Sequence, residues 1–188
     1  MRRSVALAIA AFVMIAVAAC IRPARLTRPL ERDQLYSRLV GEWQGTLETP
    51  DSLLGVRVTR PTKLKVMPAP DKDGLELQFQ YEDAQGRVAT RTERLQFDRA
   101  METARWGNNS ARWQPAFDVV SRRGGEGAAP LRVVMESADT VNAGVEGSTA
   151  RHRETLVVSA GEVRMMTEQQ VDDDTFAFQH AYVLRRAE

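Results

Sequence analysis

Few residues in this chain could do chemistry, and they stand far apart. Cys20 is the only cysteine, so no intramolecular disulfide can form, and in an oxidising compartment a lone thiol is a liability unless it is modified. There are two histidines. His180 lies on an alternating stripe with Phe176, Phe178, Tyr182 and Leu184, an otherwise apolar face, which makes it the most informative titratable position. His152, between Arg151 and Arg153, reads as solvent-facing. Asp172-Asp173-Asp174 has oxygens enough for a calcium ion, but a tight turn between strands explains it more simply. Gly124-Gly125-Glu126-Gly127 precedes no helical pattern, which argues against a phosphate cradle. No G-x-S-x-G elbow, H-E-x-x-H, C-x-x-C or Walker loop occurs. No catalytic or metal constellation stands out.

The cysteine gains meaning from what precedes it. Arg2 and Arg3 form a basic start, Val5 to Val17 is an uncharged apolar stretch, and Ala18-Ala19 are small. This is a secretory signal, shorter than the ~20 residues a transmembrane helix needs. Val17-Ala18-Ala19-Cys20 resembles the bacterial lipobox. That resemblance implies cleavage that removes residues 1–19, and lipid attached to Cys20 as the anchor to the membrane. Each buried methylene contributes about 0.8 kcal/mol, so several acyl chains hold firmly where one would not. Ile21 stands where an aspartate would resemble an inner-membrane retention signal, which points to the periplasmic face of the outer membrane. The alternative is an ordinary signal cleaved after Ala19, with an incidental cysteine.

Without residues 1–19 the chain has 169 residues, with 24 basic against 25 acidic side chains. One domain with a usable core fits that length, and the charge balance excludes nucleic acid as a partner. Residues 20–28 read as a lipidated tether carrying Arg22, Arg25 and Arg28. The domain, 29–188, opens with a short helix. Pro29 suits its first turn, Leu35 and Leu39 fall at helical spacing, and Gly41 can close it as a left-handed residue. From Glu42 onward the period is two. Leu75, Leu77, Phe79 and Tyr81 alternate cleanly. Pro61 suggests an edge or a bulge. Val88, Thr90 and Thr92 fall on even positions but Leu95 and Phe97 on odd ones, which suggests a bulge near Glu93–Arg94. The stretch 139–149 reads as either a weak strand or a loop. About nine short strands in sequential hairpins predict an all-β, antiparallel up-and-down barrel of roughly eight to ten strands; a two-sheet sandwich is the rival.

Gly41-Glu42-Trp43 on the first strand resembles the G-x-W signature of lipocalins and related calycin barrels. In that family a late-strand arginine lies across the tryptophan, and Arg185 or Arg186 would take that part here. The family's T-D-Y motif is absent. The resemblance implies a hollow barrel holding a small apolar or amphipathic ligand, with no cofactor. Trp43, Leu47, Leu77, Phe79, Tyr81, Phe176, Phe178, His180 and Tyr182 are the candidate inward residues, although a filled core would use the same types. Two other readings stay open. One is an interaction lipoprotein of the envelope with a solid barrel and a protein partner. The other is haem binding, because Gly41-x-Trp43-x-Gly45 with a late histidine also resembles calycins of the nitrobindin type, which would make His180 the axial ligand.

Overall fold

The computed structural model describes residues 30–51, 55–82, 85–108, 116–124, 129–137, 141–142 and 149–188. The signal segment, Cys20, the tether and Pro29 lie outside the described residues, as do Asp83-Ala84 and most of 139–149. Among the described residues, one helix, α1 (Arg32–Leu39), leads into twelve strands: β1 (Gly41–Asp51), β2 (Val56–Pro68), β3 (Leu75–Glu82), β4 (Val88–Phe97), β5 (Thr103–Asn108), β6 (Ala116–Arg123), β7 (Leu131–Ser137), β8 (Val141–Asn142), β9 (Thr149–Ala150), β10 (His152–Val158), β11 (Glu162–Asp172) and β12 (Thr175–Arg186). Ten of them form a closed antiparallel barrel, each paired with its neighbour in sequence and β12 returning to β1. The exception to this simple meander is the connection from β7 to β10, which carries the two-residue ladder of β8 with β9. Closure leaves no free edge along the barrel wall. The all-β barrel with one short helix is as the alternating pattern predicts.

Register assigns every strand residue to the lumen or to the outside, because partners in an antiparallel ladder share a face and faces alternate. Trp43 pairs with Leu64, Leu64 with Phe79, and Leu77 with Glu93, all on the inner face. Gly45 is required where β1 and β12 run together: a Cβ there would lie 2.1 Å from the Val183 carbonyl oxygen. Pro61 stays within the β1–β2 ladder without a bulge, and pairing with β3 starts only at Thr62. The proline therefore sits at a local edge, where a missing N–H does least harm.

Two face assignments differ from the sequence pattern. The β3–β4 register runs unbroken from Leu75↔Leu95 to Glu82↔Val88, so there is no bulge near Glu93–Arg94. Odd residues face inward along all of β4, which places Arg91 and Glu93 in the lumen. The bulge lies instead in β12: Thr167 pairs with His180, but the next partners are Glu168 and Phe178. That extra residue turns the strand over. Phe176 and Phe178 consequently lie on the outer face, where the Arg153 and Arg57 guanidiniums stack on them at 3.8 and 4.2 Å from the ring centres.

α1 covers one end of the barrel. Leu30, Leu35 and Leu39 are fully buried and join Trp43, Phe97, Leu131, Val158 and Leu184 in a continuous core. The helix touches widely separated parts of the rim: the Tyr36 hydroxyl accepts from the Phe97 N–H at 2.9 Å, and the Arg38 guanidinium donates to the Ala129 carbonyl at 2.8 Å. Its last carbonyls are satisfied from two sides. Trp43 Nε1 donates to Leu39 at 2.8 Å, and Arg186 donates to Arg38 at 3.0 Å and Val40 at 3.4 Å. The Arg186 guanidinium also lies 4.4 Å from the Trp43 ring centre, combining a cation–π contact with a positive charge at a helix C-terminus. Of the two candidate arginines, then, Arg186 is the one over the tryptophan. Gly41, with φ +140°, leaves room for it, since a Cβ would stand 2.6 Å from Arg186 Nη1.

Candidate functional site

Away from α1, the lumen changes character. Period-two extension of apolar runs carries several strands into polar residues on the same inner face. On β4, Phe97 and Leu95 lead to Glu93 and Arg91. On β10, Val158 and Leu156 lead to Glu154 and His152, and on β11, Val163 and Met165 lead to Thr167. These residues, with His180 and Tyr182 of β12 and the apolar Trp106, Phe117 and Met165, line a cavity of about 220 Å³.

The polar groups form two clusters. In one, Arg91 Nη2 contacts Glu93 Oε1 at 2.9 Å and donates to the Tyr182 hydroxyl at 3.1 Å, while Trp106 Nε1 donates to Glu93 Oε2 at 2.8 Å. In the other, the Thr167 hydroxyl lies 2.8 Å from Glu154 Oε2 and 3.1 Å from His180 Nε2. A hydroxyl both donates and accepts, so it can join the carboxyl to the imidazole with either proton arrangement. Arg91 Nε and His152 Nε2 are buried without a hydrogen-bond partner among the described residues.

Burial dominates the protonation states. It pushes the Glu154 carboxyl up to about 8, against the lowering effect of the Thr167 hydrogen bond and aided by the negative Glu93. Burial, with the nearby Arg91 charge, holds the His180 imidazole down to about 4. Tyr182 is pushed up to about 12 for the same first reason, and burial lowers His152 as well. At pH 7 this cavity holds one balanced ion pair, a protonated Glu154 and two neutral imidazoles. That is the expected result of desolvating ionisable groups.

The second cluster contains the residue types of a nucleophilic triad in a different order. In a working triad the imidazole stands between hydroxyl and carboxylate, and the carboxylate is ionised. Here the hydroxyl stands between the imidazole and the carboxyl, so no carboxylate backs the imidazole, and burial that holds His180 down to about 4 makes it a weak base.

Of the residues expected from sequence to meet a ligand, His180 and Tyr182 line the cavity. Trp43, Leu47, Leu77 and Phe79 belong to the filled core, with the Phe79 and Tyr182 rings 4.6 Å apart; Tyr81 is half-buried against that core. Phe176 and Phe178 face outward. His152, expected in solvent, borders the cavity. Arg91, Glu93, Trp106, Phe117, Glu154, Met165 and Thr167 complete the walls and were legible only as continuations of apolar faces. Haem does not fit these residues. The cavity falls below the roughly 300–1,000 Å³ of sites for drug-sized ligands, and His180 Nε2 already bonds to Thr167. Asp172 uses Oδ1 to accept from the Thr175 N–H at 3.1 Å, as a strand-to-strand turn requires.

No protein-family model matches the sequence, and a search of curated proteins gives no match. Among solved structures, the barrel is similar to the crystal structure of Rv2717c from M. tuberculosis, with a TM-score of 0.57 and 13% identity over 82% of this chain and 96% of that one. A protein of unknown function from the DUF3598 family of Nostoc punctiforme PCC 73102 aligns at a TM-score of 0.42 and 15% identity, over 86% of this chain and 51% of that one, and adds no support. At such identities the likeness concerns the fold alone, a closed antiparallel barrel of ten strands.

Proposed function

We propose that this protein is a lipid-anchored barrel of the bacterial envelope that holds a small amphipathic molecule in the half of its lumen away from α1. The observation that carries this reading is the 220 Å³ cavity, whose wall is polar on the Arg91–Glu93 and Glu154–Thr167–His180 side and apolar at Trp106, Phe117 and Met165. A guest with some polar character suits a lining in which these groups are already paired with one another, while His152 Nε2 has no partner among the described residues. A guest with a polar end and an apolar body suits both sides. The filled core beneath sets the depth limit: Leu77, Phe79 and Leu95 are fully buried, so the ligand occupies only part of the barrel.

The anchor is the lipidated Cys20 inferred from the signal segment, with the periplasmic face of the outer membrane as its place. Native mass spectrometry of protein purified from its own host, in mild detergent, tests both parts. The expected spectrum contains a small bound molecule released on activation, and an N-terminus at Cys20 that carries acyl mass. A chain that is always empty removes the ligand reading. An unmodified Cys20, or labelled palmitate incorporated equally by Cys20→Ala, removes the anchor.

A further inference from the structure

We propose that the outer wall beside α1 docks on an anionic phospholipid surface through Arg123, Arg132 and Arg164, with the cavity mouth turned away from the bilayer. The inference deepens the envelope reading and rests on its anchored chain. Three observations lead there.

The first is a row of like charges. Arg123, at the end of β6, stands directly opposite Arg132 on β7. Arg132 is opposite Val157 on β10, and Val157 is opposite Arg164 on β11. Ladder partners share a face, and this face is the outer one, because the alternate residues Leu131, Val133, Leu156 and Val163 are buried in the core. Strands lie about 4.8 Å apart, so the three side chains spring from a line roughly 15 Å long. Like charges directly opposite each other destabilise a sheet. All three arginines are exposed, and no acid opposes them in the ladders. None has an ion pair or hydrogen bond among the described residues.

The second is contrast. On other parts of the wall Arg57 contacts Glu48, Arg94 contacts Asp71, and Arg151 and Arg153 share Glu136. Glu162, two residues before Arg164, stands opposite Arg185. Cations without partners inside the fold are complementary to an anion outside it.

The third is place. Arg123 closes β6, Arg132 is the second residue of β7 and Arg164 the third of β11. These are the strand ends beside α1, whose Arg38 donates to the Ala129 carbonyl just before β7. Leu30 is buried at the same end. From Leu30 back to Cys20 is ten residues, at most about 36 Å of extended chain, and Arg22, Arg25 and Arg28 on the way carry the same charge. A bilayer holding Cys20 lies within reach of the arginine row. Each basic side chain near an anionic surface favours contact roughly fivefold, so three together give on the order of a hundredfold. That suffices to fix an orientation which the tether alone leaves open.

Arginine footprinting with phenylglyoxal tests the inference on the full chain, reconstituted into vesicles of phosphatidylcholine alone or with phosphatidylglycerol added. Phosphatidylglycerol should slow modification of Arg123, Arg132 and Arg164 at least about fivefold, and the effect should vanish in about 1 M salt. Arg57 and Arg151, at the mouth, should react alike on both vesicles. Combining Arg132→Gln with Arg164→Gln, both at exposed positions, should erase the protection of Arg123. Equal rates on the two vesicles, or protection of Arg57 and Arg151 instead, would overturn the docking face. Protection found only in intact envelopes would give the row to another occupant and overturn it equally. Sedimentation with pure phosphatidylcholine vesicles reports the anchor separately. A chain that stays in solution there loses the anchored reading, and protection by phosphatidylglycerol still decides the face.

Discussion

The two halves of this barrel are built from the same ten strands and differ in what those strands turn inward. At the α1 end the lumen is filled with Leu, Val, Phe and Trp side chains, and the terminal hydrogen bonds of the helix are closed by Trp43 and Arg186. At the other end the same inner faces carry Arg91, Glu93, His152, Glu154, Thr167 and His180 around a cavity. The first half gains stability from burying apolar area and from caps on polar groups that would otherwise be orphaned. The second carries ionisable groups in a desolvated space, which costs stability, and it retains them where a guest could meet them. Under the proposed reading, structural and functional demands are separated along one axis of one fold.

The largest expected effect tests the filled half. Trp43→Ala removes a side chain that is 1% exposed, along with the hydrogen bond to Leu39 and the surface under Arg186. Denaturant unfolding should show a loss of about 3–5 kcal/mol. A loss under 1 kcal/mol would mean that α1 does not depend on this contact and that the end is loosely closed.

Next comes the cost carried by the polar half. Glu154 keeps its proton up to about 8 when folded, against an ordinary value of 4.5. Between these values the unfolded chain gives up the proton and the folded chain retains it, so stability falls as pH rises from 4.5 to about 8 and levels off above. The histidines act in the opposite sense. His180, held down to about 4, makes stability fall as pH drops from 6.5 towards 4. The groups that bear on Glu154 are Thr167, Glu93, Arg91 and Glu168, and all of them are unchanged in Glu154→Gln. Subtracting the two profiles therefore isolates the carboxyl. The variant should match the parent near pH 4.5 and exceed it by about 4 kcal/mol at pH 8. A difference that is flat across this range would show that Glu154 is not desolvated and that the two halves are less unlike than their side chains suggest.

A smaller effect is expected at the rim of the filled half. Arg186→Ala removes a cation–π contact and two hydrogen bonds to helix carbonyls, worth about 1–2 kcal/mol together. Arg185→Ala, on the exposed side, should change stability by less than about 0.5 kcal/mol. Equal losses from the two would contradict the assignment of Arg186 to Trp43. The smallest effect concerns the faces themselves. Phe178→Ser acts on the outer wall, under Arg57, and should cost about 1 kcal/mol or less while leaving occupancy of the lumen by a bound small molecule unchanged. A large loss of binding would place this ring back in the lumen.

Much of the filled half was readable in advance. Leu35 and Leu39 at helical spacing and Leu75 to Tyr81 at period two depend on local rules that a chain obeys whatever its partners, whereas the arginine over Trp43 was implied by a family resemblance. The cavity was harder to read for a physical reason. Period-two reasoning equates inward with apolar, and at Arg91 and Glu93 that equation fails, so an unbroken strand looked like two faces joined by a bulge. At Gln179 the error ran the other way: a real bulge hid inside a clean aromatic alternation and carried Phe176 and Phe178 outside. His152 looked solvated between two arginines because its inward neighbours, Glu154 and Leu156, lie two and four residues along the strand.

What the sequence determined by itself was the kind of wall and the helix that stops one end. These are properties of neighbouring residues and of their spacing. The tertiary structure alone decided which charges meet. Arg91 is opposite Phe79 on β3 and bonds to Tyr182 on β12, and Glu154 reaches His180 through Thr167. Whether a polar side chain in a strand is solvated or buried against its counterpart depends on the closure of the sheet. Until β12 meets β1 there is no lumen, and no desolvation to turn a glutamate neutral.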